Sequence, residues 1–162
     1  MKCAYVPEWI LKSKDKAIAF SFIRGLFDTD GCVFCQKDYT KYASDFSSKY
    51  HSKIRLRITS ISIKLINQVY DLCKKNGFRV VKRELKRGFS NNRNNNNVYI
   101  LEVNELKSIK RWFKELKPSN LKHVSKYEVW KRFDFCPPNT TLLQRKEILK
   151  NQLNPYSLYM RG

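Results

Sequence analysis

The chain has 162 residues, with 33 Lys plus Arg against 14 Asp plus Glu, a formal charge of +19 and a pI near 9.9. A chain of this length can bury a real core as one domain, 1–162, but so large a surplus of one sign opposes compaction and calls for a polyanion, nucleic acid first and an anionic membrane or ribosomal surface second. It has no run of about 18 apolar residues and no signal-type apolar segment at its N-terminus, so a soluble, intracellular protein is expected, in the cytoplasm or an organelle nucleoid, with no membrane partner.

In chain order, Pro7 to Leu11 reads as a short helical turn with proline at a permitted early position. Ser13 is a candidate N-cap for a helix beginning at Ala17. That helix carries Ala17, Ile18, Phe20, Phe22, Ile23, Leu26 and Phe27 over most of its circumference. A helix apolar nearly all round belongs in an interior or an interface. Ser21 and Gly25 lie one turn apart, so a partner helix can come close on that side. The helix runs into Asp28, Asp30 and a stop glycine, Gly31. Carboxylates oppose the negative end of the helix dipole, which points to a cation there.

Cys32 to Tyr42 reads as a strand, with Phe34, Gln36 and Asp38 on one side, followed by a polar loop from Ala43 to Lys49. Tyr50 to Thr59 is the clearest strand: His51, Lys53, Arg55 and Arg57 alternate with Ile54, Leu56 and Ile58. Ser62 caps a helix from Ile63 to Asn76, closed by Gly77. Phe78 to Arg87 reads as a cationic strand, Gly88 to Asn97 as a polar tip, and Val98 to Val103 as the return strand. Glu105 to Leu116, Leu121 to Phe133 and a segment from Thr140 or Thr141 to Gln152 read as helices, with Pro118 and Pro137-Pro138 as breaks. Cysteines stand at 3, 32, 35, 73 and 136; Cys32 and Cys35 form a CxxC without a second pair at zinc-site spacing. Strand pairs returning through helices give an α+β layer, an antiparallel four-stranded sheet with helices on one face in the order αββαββα plus C-terminal helices. Three cations alternating along the second strand with no acid between them suit phosphate or guanine contacts.

The stretch Ile23-Arg24-Gly25-Leu26-Phe27-Asp28-Thr29-Asp30-Gly31 resembles the signature of the LAGLIDADG homing endonucleases, with Ile23, Gly25, Leu26, Asp28, Asp30 and Gly31 matching and Arg24 and Phe27 departing from it. The order of elements extends the resemblance over nearly the whole chain. It implies a saddle-shaped sheet lying in the DNA major groove. A ten-residue strand spans roughly 33 Å, about ten base pairs, or one half-site. A single motif implies a homodimer joined through Ile18, Ser21, Phe22 and Gly25, acting on a long pseudo-palindromic site.

The implied activity is magnesium-dependent, site-specific double-strand cleavage of DNA by an intron-encoded protein, with two or more Mg²⁺ per dimer. Asp30 would be the metal ligand, with the Thr29 carbonyl beside it, and Asp28 structural. A cation near the scissile phosphate would be Lys126 or Lys122, Lys126 being favoured. Ser60 stands where the family often has a polar residue, frequently Gln, and Lys64 follows one turn on. DNA contacts would come from Gln36, Asp38, His51, Lys53, Arg55, Arg57, Lys82, Glu84 and Lys86, with Asn92 and Arg93 in the tip. Intron RNA is a further candidate partner. The alternatives are a non-cleaving maturase or a DNA- or RNA-binding regulator of the same fold, or a basic ribosomal protein unrelated to it.

Overall fold

A computed structural model describes residues 4–86 and 97–160. The chain is α+β with one open, antiparallel four-stranded sheet in the order β1-β2-β4-β3, where β1 is Gly31–Gln36, β2 Lys53–Ser60, β3 Val81–Leu85 and β4 Val98–Val103. The helices are α1 (Glu8–Lys12), α2 (Lys16–Asp30), α3 (Asp45–Lys49), α4 (Ile63–Lys75), α5 (Leu106–Arg111), α6 (Leu121–Phe133) and α7 (Leu142–Leu149). No helix among the described residues is long and apolar enough to cross a membrane. Two compact units divide the chain: Met1–Cys32 with Leu56–Pro118, and Val33–Arg55 with Ser119–Gly162.

In the first unit, α2 buries Ala19, Ile23 and Phe27. Phe27 meets Trp112 edge-on at 5.4 Å, Trp112 meets Phe78 at 5.3 Å, and Phe78 meets Phe20 at 5.8 Å. Aromatic pairs like these add about 0.5–1.5 kcal/mol each beyond their buried area. Lys16 Nζ donates to Glu115 Oε2 at 3.2 Å, and Arg111 Nε donates to Glu115 Oε1 at 2.8 Å, so the start of α2 is fastened to the turn after α5. The hydrogen bond from Arg111 holds the Glu115 carboxyl down at about 2. Helix α4 lies against β3 and β4, capped by Ser62 Oγ accepting from the Leu65 amide at 3.2 Å.

In the second unit, Phe135 is fully buried and stacks on Tyr50 at 4.7 Å, with Phe46, Tyr156 and Tyr159 around it. Trp130 Nε1 donates to the Ser52 carbonyl at 2.7 Å, fastening α6 to the entrance of β2.

Several expected boundaries move. Helix α2 is capped by Asp15, whose Oδ1 accepts from the Ala17 amide at 2.8 Å, while Ser13 closes α1 and accepts from the Asp15 amide. Strand β1 stops at Gln36 because Asp38 Oδ1 accepts from the Thr40 amide at 3.1 Å, a local turn that competes with the ladder. The expected loop at 43–49 contains α3, capped by Ser44. The helix expected over Glu105 to Leu116 changes at Trp112 into a π-helical turn, Trp112–Leu116.

The two structural glycines act differently. Gly77 takes φ +76°, closing α4 in the left-handed region. Gly31 has φ −86° and ψ 168°, open to any residue, but a Cβ there would run into the carbonyl oxygen and ring of Phe27. Gly31 is thus required for space, because α2 passes straight into β1 with no loop between them. Gly31→Ala should cost about 1–3 kcal/mol, read as a lower midpoint in urea unfolding; an unchanged midpoint would mean that the junction opens freely.

Candidate nucleic-acid interface and metal site

Within the first unit, α2 ends in an exposed Asp30. Thr29 Oγ1 donates back to the carbonyls of Gly25 (3.1 Å) and Leu26 (3.2 Å), so the hydroxyl is engaged within the helix. Among the described residues Asp30 takes no hydrogen bond or ion pair. The last carbonyls of a helix have no intrahelical donors and carry the negative end of the dipole. An exposed carboxylate at such an end, next to backbone oxygens, is a hard all-oxygen donor set that fits Mg²⁺, which takes one or two protein carboxylates and completes its shell from water and phosphate. No group of three or more His, Cys, Asp or Glu stands together among the described residues, so this end supplies part of a shell.

The outer side of α2 leaves Ser21 and Gly25 exposed and Ile18 and Phe22 half-buried. Trp9, Ile10, Ala17, Ile18, Ser21 and Phe22 line a shallow apolar depression on it. Nothing lies within 4 Å of where a Gly25 side chain would start.

The alternation expected for β2 is present. Ile54, Leu56 and Ile58 are 1%, 0% and 2% exposed, and Lys53, Arg55 and Arg57 are half-buried along the other side. The register pairs Arg57 with Glu102 and Glu102 with Val81, and Thr59 with Ile100 and Ile100 with Arg83. Val81, Arg83 and Leu85 therefore share the face of Arg57. Lys82, Glu84 and Lys86 fall on the other parity: Lys82 Nζ donates to Asn67 of α4 at 2.8 Å, Glu84 accepts from Asn97 at 2.7 Å, and Lys86 is exposed just beyond the strand. Arg57 Nη2 donates to Glu102 Oε2 at 3.2 Å and Arg83 Nη2 lies 3.8 Å from Oε1. Glu102 and Arg83 were missed in the sequence. The available signal was one acid inside the apolar run Val98 to Val103, since a carboxylate is almost never buried unless paired. Ser60 ends β2, with its hydroxyl accepting from the Ser62 amide at 3.0 Å, and Lys64 Nζ lies over the Tyr5 ring at 5.0 Å.

The second unit holds the rest. Lys53 Nζ donates to Asp38 Oδ1 at 3.3 Å; the Thr40 amide, more than Lys53, holds the Asp38 carboxyl below its usual range. Gln36 is half-buried at the end of β1. His51 precedes β2, its amide and Nδ1 both on the Tyr159 hydroxyl at 3.1 and 3.0 Å. Burial, then the charge of Lys37, lowers its pKa. Lys126 Nζ donates to the Val33 carbonyl at 3.0 Å, and Lys122 is exposed in the first turn of α6. Cys35 of the CxxC is hydrogen-bonded to Cys136, which raises its pKa. Asn92 and Arg93 lie outside the described residues.

Compared with known families, the chain matches the model described as a LAGLIDADG-like domain over residues 17–117. That span covers α2 from Ala17 onward and all four strands; α6, with Lys122 and Lys126, follows it. No curated protein matches the sequence closely enough to count as a relative.

The basic row on β2 makes a measurable claim. If Arg55 meets a phosphate, Arg55→Ala should weaken binding to all duplexes and lower the slope of log affinity against log salt by about one. An unchanged slope and affinity would place Arg55 on an idle face.

Proposed function

The chain belongs to the LAGLIDADG-like family, generally nuclease-related and DNA-binding, and on that premise we propose that it is a site-specific, magnesium-dependent double-strand DNA endonuclease. It acts as a homodimer on a long pseudo-palindromic site and is intron-encoded. The observation that carries this reading is the exposed, unneutralised Asp30 at the end of a helix whose inner face is buried, in a chain whose charge is +19.

Asp30 would hold Mg²⁺, with the Thr29 carbonyl beside it. Bound there, the ion would supply a hydroxide nucleophile and stabilise the leaving oxygen. The protein's own part is to place that carboxylate and to hold the duplex. Burial of Ile23 and Phe27 fixes the helix end, and the Thr29 hydroxyl, tied to Gly25 and Leu26, keeps the last turn wound. Arg55 and Arg57 hold the duplex by charge and hydrogen bonds. Lys126, or Lys122, is the proposed cation for charge developing on the scissile phosphate, and Ser60 and Lys64 are the remaining polar candidates.

The outer face of α2 supports the dimer. Two copies joined along Ala17, Ser21 and Gly25 would cover the depression lined by Ile18 and Phe22 and give each half-site its own Asp30. Gly25→Leu should then yield monomers in sedimentation at micromolar concentration. A wild type that is monomeric with and without DNA would remove the dimer.

Asp30→Asn separates enzyme from binder. The amide keeps the shape of the helix end but loses the charge that holds the ion, so the variant should bind the intron-less allele of the host gene as the wild type does and fail to cut it with Mg²⁺. Equal cutting by both proteins would show that Asp30 is not the ligand. Tight binding with no cutting by either would make the chain a maturase or regulator of the same fold.

A further inference from the structure

We propose that Glu102 is a specificity-determining positioning residue, which presets Arg57, with Arg83 as support, to read a guanine rather than a phosphate. This rests on the DNA-binding reading above. Glu102 lies on β4, an inner strand of the sheet, and its side chain is 0% exposed. Burying a carboxylate is costly unless cations and hydrogen bonds answer it. Two guanidinium groups do so from opposite neighbouring strands, one oxygen each: Arg57 of β2 on Oε2 and Arg83 of β3 on Oε1. The register explains the convergence, since Arg57 sits directly across from Glu102 and Arg83 one row away on the same face.

The two arginines are not equivalent. Arg57 is nearer, 3.2 against 3.8 Å, and its side chain is 35% exposed against 54% for Arg83. Arg57 is therefore the more restrained of the two. A guanidinium is a flat fork of donors, and one held on a carboxylate has surrendered rotamer freedom before any ligand arrives. Glu102 also offsets much of its charge locally. Attraction to phosphate depends on that charge, whereas recognition of guanine depends on the fork meeting N7 and O6 in plane. The carboxylate thus exchanges general affinity for geometric discrimination. Its neighbours on β4 with the same parity, Val98 and Ile100, are apolar and buried, so Glu102 is the polar end of an otherwise apolar strip.

The test is selection from a random 40-bp duplex library by purified full-length protein, with sequencing of the bound fraction. The wild type should enrich a G·C pair that Arg57→Ala no longer selects. Glu102→Gln, close in shape, should lose about tenfold of the preference at that same pair while affinity for the unselected library holds or rises. Preference retained in Glu102→Gln overturns the proposal. So does an even loss at every position with weaker binding overall, which is what a merely structural role would give. Should Glu102→Gln fail to fold, Glu102→Asp keeps the charge but withdraws the carboxylate from Arg57: a weakened preference at the same pair supports the proposal and an unchanged one overturns it. A wild type that enriches no sequence sinks the endonuclease reading itself, a result distinct from the failure of Glu102 alone.

Discussion

Helix α2 hands the chain to strand β1 without an intervening loop, and the first unit is arranged around that junction. The amide of Gly31 donates to the Phe27 carbonyl, and the space that a side chain at 31 would take is already filled by Phe27. Phe27 cannot retreat, since it abuts Trp112, and Trp112 abuts Phe78 in turn. At the other end of the helix Lys16 is tethered to Glu115, which Arg111 also holds. A helix anchored at both ends presents its terminal carboxylate in one place. A carboxylate proposed to hold a metal needs that, because a misplacement of an ångström would cost a catalytic group much of its effect.

The legible parts of the sequence are those where neighbouring positions differ in kind. Ile54, Leu56 and Ile58 against Lys53, Arg55 and Arg57 leave one phase for β2, and the structure has that phase. Ser62 and Gly77 bracket α4 for the same reason: a hydroxyl before an apolar stripe and a glycine after it. Strand β3 offers no such contrast. Arg79, Lys82, Arg83 and Lys86 occupy both parities, so only pairing with β4 decides that Arg83 rather than Lys82 shares a face with Arg57. The acid-free row read along β2 has its acid on the neighbouring strand, at Glu102. A search along one strand sees no partner that arrives across a sheet. Gly31 is legible as a glycine but not as the kind it is, since its φ is ordinary and its constraint comes from the Phe27 side chain.

The second unit uses its basic residues differently. Lys126 gives its ammonium to a backbone carbonyl of β1, at Val33, three residues beyond Asp30 in sequence. Buried Arg145 donates to the Ser125 hydroxyl and to Thr140, and burial lowers its pKa. His51 is held by Tyr159 beside the aromatic group around Phe135. Lys126 and Arg145 answer internal oxygens, so the surplus charge of the chain overstates what is offered to a partner. Arg57 and Arg83, each shared with Glu102, add to the same discount.

Strand β3 is the outermost strand beside β4, and every residue from Val81 to Leu85 is exposed. An outer strand is a template on which another chain can add, and exposed Val81 and Leu85 would welcome it. Lys82, Arg83 and Glu84 between them oppose parallel, in-register addition, which would stack like charges upon like. Charge on an outer strand of this kind opposes edge-to-edge addition. Neutralising its cations would remove that guard, so charge on this strand bears on resistance to aggregation whatever else it does.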